Sequence, residues 1–505
     1  MISLIDTGPA PIARAPFNMA AHVLVDAATR TPDHAALRII TPRGSDDWSY
    51  ARLQAAVLGC AAGLRARGLV PGDRILMRVG GQVEFPVLFL GALAAGMVPV
   101  ATSAQLTVAE ITPMAARIAP RLIVASAGVA LPDGLNCPVL SDDDIRAWER
   151  LPPAPFHMGD PDRPGYIIFT SGTSGSPMAV VHAHRAIIAR GLMHAGWEGL
   201  GAADRLLHAG AFNWTYTLGT GLMDPWTVGA TALIPGAGVE AAHLPALLRR
   251  YEATIFAAAP GVYRQMLRAA LPPLPHLRHG LSAGEKLGRE TRAAWTKATG
   301  TPICEALGMS EISTFISESP GRPAPEGATG FVQTGRRIAA LGPDLAPVPR
   351  GAPGQLAVDR RDPGLMLGYL DAPEATASRL SGDWFLTGDH VVIDPKGAVT
   401  YLGRADDQIN AGGYRVSPVE VEAAMARFPG LLEAAVAEVE VKPGVSVIAC
   451  FYTAAQPLDD AALAAHAATH LARYKQPRLF THLPALPRGA NAKLNRRALR
   501  AMRPS

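Results

Sequence analysis

The sequence predicts an α/β protein in which parallel strands are covered by helices, with a smaller α+β unit towards the C-terminus. Three observations support this fold class. Short apolar runs alternate with helical patterns over residues 17–160, the chain is 49% hydrophobic and 18% charged, and the pattern changes after Arg404. Alternating strands and helices are typical of parallel sheets with helices on their faces. The 505 residues hold enough apolar side chains for a large core, which excludes a disordered chain.

Buried strands are predicted where short apolar runs end in turn residues. These runs are residues 35–40, 73–79, 120–126, 230–236 and 254–260. After the first run, residues 46–54 predict a turn and the start of a helix. Because helical sequence follows the strands, we expect them to form parallel sheets.

The longest apolar stretch, residues 85–101, is interrupted by Pro86 and Pro99. It is shorter than the roughly 20 residues of a membrane-spanning helix, so it predicts a buried helix and strand. The N-terminus lacks a basic segment followed by an apolar one, and we expect no signal peptide. The four cysteines show neither metal-ligand nor CxxC spacing. We therefore expect a cytoplasmic protein with no membrane span, zinc cluster or disulfide scaffold.

The C-terminal part predicts two further kinds of structure. Residues 341–365 are rich in Pro and Gly and predict short antiparallel strands and turns. The Ser-Pro-Val-Glu sequence at residues 417–420 is a capping-box pattern for a helix that runs to about residue 428. Two strands and another helix follow, which together make a compact α+β unit of roughly 100 residues. We place the domain boundary near residue 403.

The net charge is only +4, but basic residues are concentrated near the C-terminus. Residues 473–505 contain no Asp or Glu, and their basic residues are Arg473, Lys475, Arg478, Arg488, Lys493, Arg496, Arg497, Arg500 and Arg503. Such a segment can neutralise phosphates, and the modest overall charge favours a small polyphosphate ligand over nucleic acid. A solvated basic helix is an equally good interpretation of the same segment.

The strongest sequence signal is a Ser/Thr/Gly loop after the apolar strand Tyr166–Phe169. Gly172 and Gly175 permit tight turns in this loop, and its hydroxyl groups add hydrogen-bond donors to the backbone amides. Amides and hydroxyls together form a cradle for polyphosphate. The loop lacks the GK[ST] of a Walker A loop and the GxGxxG of a dinucleotide site. Taken alone, it is also compatible with a flexible turn.

This loop and six later segments resemble the adenylate-forming superfamily, which contains acyl-CoA synthetases, peptide-synthetase adenylation domains and luciferases. The loop sequence is TSGTSGSPMAVVHAHRAI. The later segments follow in the order of the family and are residues 282–287, 305–311, 384–389, 403–407, 412–422 and 485–497. The sequences SAGE and GMSE are most similar to benzoate-CoA and aryl-CoA ligases.

The resemblance implies a two-domain α/β fold. Residues 1–403 would form a large N-terminal domain, with parallel sheets flanked by helices and a small β-barrel-like subdomain, that binds ATP and the acyl substrate. Residues 404–505 would form a smaller, mobile α+β domain that carries the catalytic lysine. Asp406 lies at the position of the family hinge.

The resemblance also implies a nucleotide site. The loop residues that would hold the β- and γ-phosphates of ATP are Thr170, Ser171, Gly172, Thr173, Ser174 and Gly175. A wall shared by adenine and the acyl group would be formed by Ala283, Gly284 and Glu285. The other predicted nucleotide-binding residues are Glu305, Ala306, Leu307, Gly308, Met309 and Ser310. Asp389 and Arg404 would bind the ribose.

Two residues are predicted to be catalytic. Glu311 would help to hold Mg²⁺, a hard cation that prefers carboxylate and phosphate oxygens. Lys493 matches the lysine that bridges the substrate carboxylate and the α-phosphate. A carboxylate must attack a polyanion in this reaction, so positive charge is needed to offset the repulsion. Gly412 and Gly413 would line the tunnel for the thiol, where a side chain would block pantetheine.

A second set of residues would line the acyl pocket, namely Phe212, Asn213, Trp214, Tyr216 and Ala283. Their flat walls suit an aryl or compact cyclic acid better than a long alkyl chain. For any one of the aromatic residues, core packing is an equally good interpretation. Lys286 is predicted to pair with Glu285 or with a polar substituent of the acid.

The chain departs from the family pattern at three positions. Met178 stands where most relatives have lysine, which removes one phosphate contact and weakens the expected nucleotide binding. Leu307 takes the place of an aromatic residue that often stacks on adenine. Ala492 replaces the glycine that usually precedes Lys493, which would stiffen that loop.

Three other residues with reactive side chains are predicted to be structural. His182 and His184 follow the loop, and we expect them to pack beneath it rather than act as bases. Cys304 is expected to be a core residue rather than a nucleophile.

The implied function is an ATP-dependent ligase that joins a carboxylic acid to CoA through an acyl-AMP intermediate, with Mg²⁺. The acid would be aromatic, of the benzoate type, or compact and cyclic. The alternatives are a short or medium aliphatic acid, a carrier-protein thiol in place of CoA, and a non-catalytic nucleotide-binding homologue, which Met178 would explain. The expected partners are the acid and CoA, with no nucleic acid and no membrane, and a homodimer is left open.

Overall fold

The computed structural model describes residues 1–170, 177–210, 216–404, 409–411, 414–442, 445–489 and 494–502. The chain divides into two compact units. The larger unit comprises Asp6–Arg337 and Asp359–Phe385, and the C-terminal unit comprises Met1–Ile5, Ile338–Val358 and Leu386–Ser505. The predicted α/β class with a smaller C-terminal α+β part is confirmed. Residues on both sides of position 403 lie in the C-terminal unit, and the domain boundary there stays a prediction.

The helices lie mostly between successive strands. They are α1 (Met19–Arg30), α2 (Tyr50–Ala66), α3 (Glu84–Ala95), α4 (Val108–Ile118), α5 (Asp142–Trp148), α6 (Ala186–Met193), α7 (Asp224–Val228), α8 (Leu244–Arg250), α9 (Pro260–Met266), α10 (Arg289–Thr299), α11 (Pro373–Ala377), α12 (Pro418–Met425), α13 (Asp460–His470) and α14 (Arg496–Ala501). Two π-helical segments, His194–Glu198 and Thr217–Met223, extend α6 and precede α7.

The strands of the first 300 residues are β1 (Leu4–Asp6), β2 (Ala35–Ile40), β3 (Ser45–Ser49), β4 (Arg74–Arg78), β5 (Val98–Ala101), β6 (Leu122–Ala125), β7 (Val139–Ser141), β8 (Pro164–Thr170), β9 (Met178–Ala183), β10 (Arg205–His208), β11 (Thr231–Pro235), β12 (Ile255–Ala258) and β13 (His279–Ala283). The later strands are β14 (Ile303–Met309), β15 (Ser313–Ser317), β16 (Gly330–Val332), β17 (Arg337–Leu341), β18 (Pro353–Asp359), β19 (Gly368–Tyr369), β20 (Leu380–Ser381), β21 (Trp384–Ile393), β22 (Ala398–Arg404), β23 (Ile409–Ala411), β24 (Tyr414–Val416), β25 (Leu431–Lys442), β26 (Val445–Ala454) and β27 (Leu479–His482).

The first sheet of the larger unit has the strand order β19-β9-β8-β5-β4-β6-β7. The five strands from β8 to β7 run in parallel, β9 is antiparallel to β8, and β19 is antiparallel to β9. Helix α4 packs on this sheet through Ile111, Ala115 and Ile118, which are buried against Val100 and Ile167. The predicted parallel arrangement is thus confirmed here, with two antiparallel strands added next to β8.

The second sheet of the larger unit has the order β16-β15-β14-β13-β12-β10-β11-β2-β3. Its six central strands are parallel, and β3, β15 and β16 are antiparallel to their neighbours. Successive side chains point to opposite faces, so both faces carry a core. Phe256 packs with Trp295 on one face, whereas Ile255 and Ala257 pack with Tyr216 on the other.

The C-terminal unit contains a mostly antiparallel set of strands in the order β1-β17-β18-β21-β22 and a small sheet in the order β25-β26-β27. The small sheet is covered on both faces. Helices α12 and α13 pack on one face through Val421, Met425 and Leu463, and α14 packs on the other through Leu499. The Pro- and Gly-rich residues 341–365 form strands and turns, as the sequence predicted.

Two elements differ from the sequence-based prediction. Residues 45–49 form β3 rather than a turn, since they pair with β2 and bury the Trp48 ring while their aspartates face solvent. Helix α12 ends at Met425 rather than near residue 428. Ser417 caps α12 by accepting from Glu420 N, but the Glu420 carboxylate binds Lys475 Nζ at 2.5 Å, so the capping box is only half formed.

Helix α3 is buried on every face, which explains why its sequence is apolar throughout. Its one charged residue, Glu84, pairs with Arg146 at 2.5 Å. In the part of the chain that the structure describes, no helix combines the length and the apolar character needed to span a membrane.

Candidate active site

The loop of residues 170–175 that is predicted to hold phosphates, called the phosphate loop below, follows β8 and precedes β9 in the first sheet. β8 ends at Thr170 and β9 begins at Met178, and these residues are partners in the antiparallel ladder. The carboxyl end of a parallel strand is the edge at which such sheets bind ligands. The loop residues Ser171, Gly172, Thr173, Ser174 and Gly175 lie outside the described residues, so their contact with phosphate stays a prediction.

A cation from α4 lies beside the downstream end of this loop. Arg117 Nη1 donates to the Pro177 carbonyl oxygen at 3.0 Å and lies 3.7 Å from Met178 Sδ. Met178 occupies the position at which the resemblance predicts lysine. Arg117 could not be identified from the sequence, because only the packing of α4 on the sheet brings it next to the loop.

β9, the strand that follows the loop, also contacts the GMSE segment of residues 308–311. The imidazole of His182 contacts the Ser310 carbonyl oxygen through Nε2 at 2.7 Å, which assigns the proton to Nε2. Burial lowers the pKa of His182 to about 4, so the ring is neutral at pH 7. His184 is equally buried, and its Nδ1 accepts from Met19 N at 3.0 Å. Both histidines are embedded in the fold, which agrees with the structural role predicted for them.

Glu311 lies in the turn between β14 and β15, with its side chain buried. Its Oε1 accepts a hydrogen bond from the Tyr369 hydroxyl at 2.7 Å. Its backbone oxygen accepts from Met366 N at 2.8 Å. Within the described residues Oε2 has no hydrogen-bond donor, which leaves one hard oxygen of this carboxylate for a ligand.

A single carboxylate suits Mg²⁺, which usually binds one or two carboxylates together with substrate phosphates. No cluster of three or more His, Cys, Asp or Glu side chains that could enclose a metal occurs in the described part of the chain. The oxygen that Glu311 offers therefore fits a cation brought by a nucleotide rather than a cation held by protein ligands alone.

The predicted wall for adenine and acyl group is formed at the ends of two neighbouring strands. Ala283 ends β13 and is the register partner of Ala306 in β14. Gly284 follows with φ +96°, a conformation that residues with a side chain rarely adopt. Further along β14 the ladder to β15 shifts register between Leu307 and Gly308. These bends direct the chain from β14 into the turn that carries Glu311.

Glu305 points away from this wall, because it alternates with Ala306 along β14. Its Oε2 contacts Lys286 Nζ at 3.2 Å and Arg292 Nη2 at 3.3 Å, and its Oε1 accepts from Leu287 N at 3.1 Å. Burial raises the pKa of the Glu305 carboxyl, and Lys286 opposes that rise. The predicted pairing of Lys286 with Glu285 is therefore wrong: its partner is the buried Glu305, which lies across the strand ladder.

One face of the second sheet carries short side chains packed against aromatic rings, and it is called the pocket face below because the predicted pocket residues Tyr216 and Ala283 lie on it. Ala257, Ala283 and Ala306 belong to one buried cluster with Tyr216 and Trp197. The Tyr216 and Trp197 rings stack with centroids 5.6 Å apart, and the Tyr216 hydroxyl donates to a β13 carbonyl at 3.0 Å. The two rings and the small residues therefore form one packed layer on this face of the sheet. Phe212, Asn213 and Trp214, which are also predicted to line the pocket, lie outside the described residues.

His208 ends β10 on the same face and was not identified from the sequence. Its Nδ1 accepts from Gly210 N at 2.9 Å, and its ring meets the Tyr216 ring edge-on at 4.4 Å. Burial lowers the pKa of His208 to about 3, so it is neutral at pH 7. Its Nε2 has no hydrogen-bond partner within the described residues. Glycine is needed at 221, where a Cβ would lie 2.9 Å from His208 Cβ.

A buried arginine connects three segments behind the pocket. Arg190 on α6 donates through Nε to Asp224 Oδ1 at 2.8 Å and through Nη1 to Ser313 Oγ at 2.7 Å. Its guanidinium lies against the backbone of Gly219, where an added Cβ would collide with Arg190 Cζ. Burial acts to raise the pKa of Asp224, but Arg190 outweighs it and holds that pKa below its usual range, whereas burial raises the pKa of the nearby Glu198. Arg190 thus joins three segments: its own helix α6 follows the phosphate loop, Asp224 follows the predicted pocket residues, and Ser313 follows Glu311.

In the C-terminal unit, the two residues predicted to bind ribose lie side by side. Asp389 on β21 and Arg404 on β22 are register partners, with Arg404 Nη1 3.9 Å from Asp389 Oδ1. Near them, Ser417 Oγ donates to the Leu402 carbonyl oxygen and ties the start of α12 to β22. The structure therefore brings together this predicted pair, although they are separated in the sequence.

The remaining predicted residues of the C-terminal unit are Asp406, Gly412, Gly413 and Lys493, and they lie outside the described residues. Their roles stay predictions. The nearby basic residues are partly committed to ion pairs within this unit: Arg488 with Glu433, and Arg496 with Glu422. These pairs support a structural role for part of the basic C-terminal segment.

Cys304 is confirmed as a core residue, since it is buried with its pKa raised to about 12 by desolvation. A cavity of about 670 Å³ lies elsewhere, lined by His34, Arg38 and Arg205 among others. It opens at the amino ends of β10 and β11, whereas ligands of parallel sheets bind at the carboxyl ends. We therefore do not assign this cavity to the active site.

Comparison with known proteins identifies matches along nearly the whole chain. Residues 24–370 match the AMP-binding enzyme family, and residues 420–493 match the AMP-binding enzyme C-terminal domain. The chain is 32% identical over 489 residues to a benzoate–CoA ligase of Thauera aromatica, covering 90% of each protein. It is 29% identical over 497 residues to a 3-hydroxybenzoate–CoA ligase of Aromatoleum sp. (strain CIB), covering 91% of this chain and 92% of that protein.

The fold is also shared with a solved structure. The chain superposes on a crystal structure of a benzoate CoA ligase from Burkholderia xenovorans LB400 with a TM-score of 0.86 and 29% identity. The superposition covers 96% of this chain and 100% of that one. The similarity thus extends over the segments that carry the predicted site residues.

Proposed function

The chain belongs to the AMP-binding enzyme family and is an acid–thiol ligase of the acyl-CoA synthetase type that uses ATP and CoA, and from this premise we propose that its acid substrate is aromatic. The observation that carries the proposal is the pocket face of the second sheet. There Ala257, Ala283 and Ala306 lie in one buried cluster with the stacked Tyr216 and Trp197 rings. An acyl site bordered by such small residues and rings suits a flat aryl group better than a long flexible chain.

In the first proposed step, a carboxylate oxygen of the acid attacks the α-phosphorus of ATP. An oxygen–phosphorus bond forms, the bond from the α-phosphorus to the bridging oxygen breaks, and pyrophosphate leaves. Residues 170–175 would hold the β- and γ-phosphates, and Lys493 would contact the carboxylate and the α-phosphate. Mg²⁺, held by Glu311, would neutralise charge on the phosphates.

In the second proposed step, the CoA sulfur attacks the acyl carbon of the acyl-AMP. A carbon–sulfur bond forms, the carbon–oxygen bond to the phosphate breaks, and AMP leaves while the thiol proton passes to solvent. Gly412 and Gly413 would line the path of pantetheine, and Asp406 would lie at the hinge that exchanges the two half-reactions. These roles are supported by the order and spacing of the motifs.

A panel of acids tests the proposed substrate class. Benzoate, hydroxybenzoates, cyclohexanecarboxylate and hexanoate would be compared by AMP formation with CoA present. We expect kcat/KM for the best aromatic acid to exceed that for hexanoate by at least about tenfold, since a misfit in such a pocket costs roughly 1–3 kcal/mol. Equal or higher kcat/KM for the aliphatic acid would contradict the proposal.

The acceptor thiol needs a separate comparison. With the best acid, AMP formation would be measured with CoA and with a phosphopantetheine-loaded carrier protein at matched concentrations. Saturation with CoA in the ordinary concentration range for enzymes, about 1 μM to 1 mM, is the expected result. Turnover with the carrier protein alone would contradict CoA as the acceptor.

A further inference from the structure

The hydroxyl of Tyr369 is placed against the carboxylate that the proposed function assigns to Mg²⁺. It donates to Glu311 Oε1 at 2.7 Å, and both side chains are buried, Tyr369 at 8% and Glu311 at 7% exposure. Within the described residues Glu311 Oε2 has no donor. The tyrosine therefore occupies Oε1 of the carboxylate and leaves Oε2 available to a ligand.

The backbone around Tyr369 fixes where its hydroxyl can lie. Strand β19 pairs with β9, with Tyr369 opposite Val180. Leu370 N donates to the Ala179 carbonyl oxygen at 2.8 Å. These contacts lie within two residues of Met178, where β9 begins directly after the phosphate loop. The position of the hydroxyl is thus set by the strand that leaves the loop.

The same short segment also holds the backbone of the turn that carries Glu311. Met366 N donates to the Glu311 carbonyl oxygen at 2.8 Å, and His182 of β9 contacts the neighbouring Ser310 carbonyl oxygen at 2.7 Å. The backbone of the turn and one oxygen of its carboxylate are therefore both positioned by contacts that lead back to β9. The terminal torsion of a glutamate is otherwise broad, so a fixed donor is needed to select one orientation.

We propose that Tyr369 is a positioning residue for the metal-binding carboxylate: its hydroxyl orients Glu311 relative to the phosphate loop so that the second carboxylate oxygen is available to the Mg²⁺ of the nucleotide. The proposal rests on the assignment of Glu311 to Mg²⁺ in the proposed function. Groups that orient a metal ligand typically change metal affinity about 10- to 100-fold when they are removed.

Tyr369→Phe tests the proposal because it removes only the hydroxyl. Tyr50→Phe is a matched control, since Tyr50 is also buried and its hydroxyl donates to the Ala230 carbonyl oxygen at 2.6 Å, next to the start of β11. Dissociation constants for ATP would be measured by calorimetry at a series of Mg²⁺ concentrations and with the metal chelated. For Tyr369→Phe we expect the Mg²⁺ concentration that gives half of the maximal effect on ATP binding to rise about tenfold. Metal-free ATP binding and the result for Tyr50→Phe should stay at the wild-type values.

Glu311→Gln, alone and combined with Tyr369→Phe, separates this inference from the proposed function. If Tyr369 acts through Glu311, the Mg²⁺ concentration that gives half of the maximal effect should be no higher in the double variant than in Glu311→Gln alone. If Glu311→Gln shifts the Mg²⁺ dependence but Tyr369→Phe does not, the inference is overturned and the metal role of Glu311 stands. If Glu311→Gln leaves the Mg²⁺ dependence unchanged, the assigned metal role fails as well. Equal shifts in Tyr369→Phe and Tyr50→Phe would also overturn the inference.

Discussion

Arg117 is the residue that most changes the expectation for nucleotide binding. The sequence has Met178 where a lysine is expected, which predicts the loss of one phosphate contact. The structure places the Arg117 guanidinium 3.7 Å from Met178 Sδ, with its other described contact at the Pro177 carbonyl oxygen. A guanidinium carries five N–H donors, so these contacts leave donors for a phosphate.

We therefore expect Arg117→Gln to raise KM for ATP about tenfold, the loss of one hydrogen bond to a charged group. KM for the acid should stay unchanged, because the described contacts of Arg117 are with Pro177 and Met178 and not with residues of the pocket face. Steady-state kinetics with each substrate varied in turn measures both values. Arg121→Gln is the control, since Arg121 is an exposed arginine of the segment that follows α4. An unchanged KM for ATP in Arg117→Gln would remove the assigned role.

Three buried histidines contribute to the loss of stability of the fold in acid. Desolvation lowers the pKa of His182 to about 4 and the pKa values of His184 and His208 to about 3. In the unfolded chain these groups titrate near 6.5. The unfolded chain therefore binds more protons than the folded one below pH 6.5, and stability is lost as the pH falls from there towards the folded values.

The free energy of unfolding should consequently fall by roughly 2 kcal/mol for each of these histidines between pH 7 and pH 5. Urea titrations at pH 7, 6 and 5 measure this dependence. In His184→Gln, the slope of the free energy of unfolding against pH should be smaller below pH 6.5, by the equivalent of about one bound proton. A stability that is constant over this range would show that these histidines are not held neutral in the fold.

At the scale of elements, the path of β14 into β15 determines where Glu311 lies. The ladder shifts register between Leu307 and Gly308, and a Cβ added at Gly308 would collide with the Ser313 carbonyl oxygen. Such a collision with backbone requires the backbone to move, here in the strand pair that supports the site. The sequence EALGMSE suggests the motif but contains no sign of this close approach.

Gly308→Ala should therefore displace the turn that carries Glu311. We expect kcat/KM for AMP formation to fall on the order of 100-fold, because small displacements of reacting groups cost that much. Gly191→Ala is the matched control: Gly191 lies in α6, a methyl group added there would meet no atom within 4 Å, and the variant should keep full activity. If Gly308→Ala kept the wild-type kcat/KM, the close contact between Gly308 and the Ser313 backbone would not be needed to position Glu311.

Five strands of the larger unit were predictable because each is a short apolar run bounded by turn residues. β2, β4, β6, β11 and β12 lie within the predicted runs. The edge strand β3 was missed, since its sequence, SDDWS, is polar and only Trp48 is buried. An edge strand has one unpaired side and needs no continuous apolar run, so its sequence resembles a turn.

At the scale of the whole molecule, the two units divide the proposed chemistry. The larger unit carries the strands beside the phosphate loop, the pocket face and Glu311, and the C-terminal unit carries the Asp389–Arg404 pair. Lys493 also belongs to the C-terminal unit by its position in the chain. If one lysine serves only the adenylation step, its removal should separate the two half-reactions.

Lys493→Ala should abolish acid-dependent pyrophosphate exchange and still convert supplied acyl-AMP and CoA to the thioester. The exchange rate should fall at least about 100-fold, as for other fixed charges at a reacting centre. Arg497→Ala is the control, since it removes an exposed cation from the same basic segment. Equal loss of both half-reactions in Lys493→Ala would contradict a role confined to adenylation.

Local sequence patterns were sufficient to predict the fold class, several buried strands and the family, because apolar periodicity and motif order are properties of neighbouring residues in the chain. Which distant side chains contact one another depends on the packing of the folded chain. It placed Arg117 beside Met178, paired Lys286 with Glu305, and set Tyr369 against Glu311. Such contacts join residues far apart in sequence through the packing of helices and the register of strands, and one residue of register reverses the face on which a side chain lies.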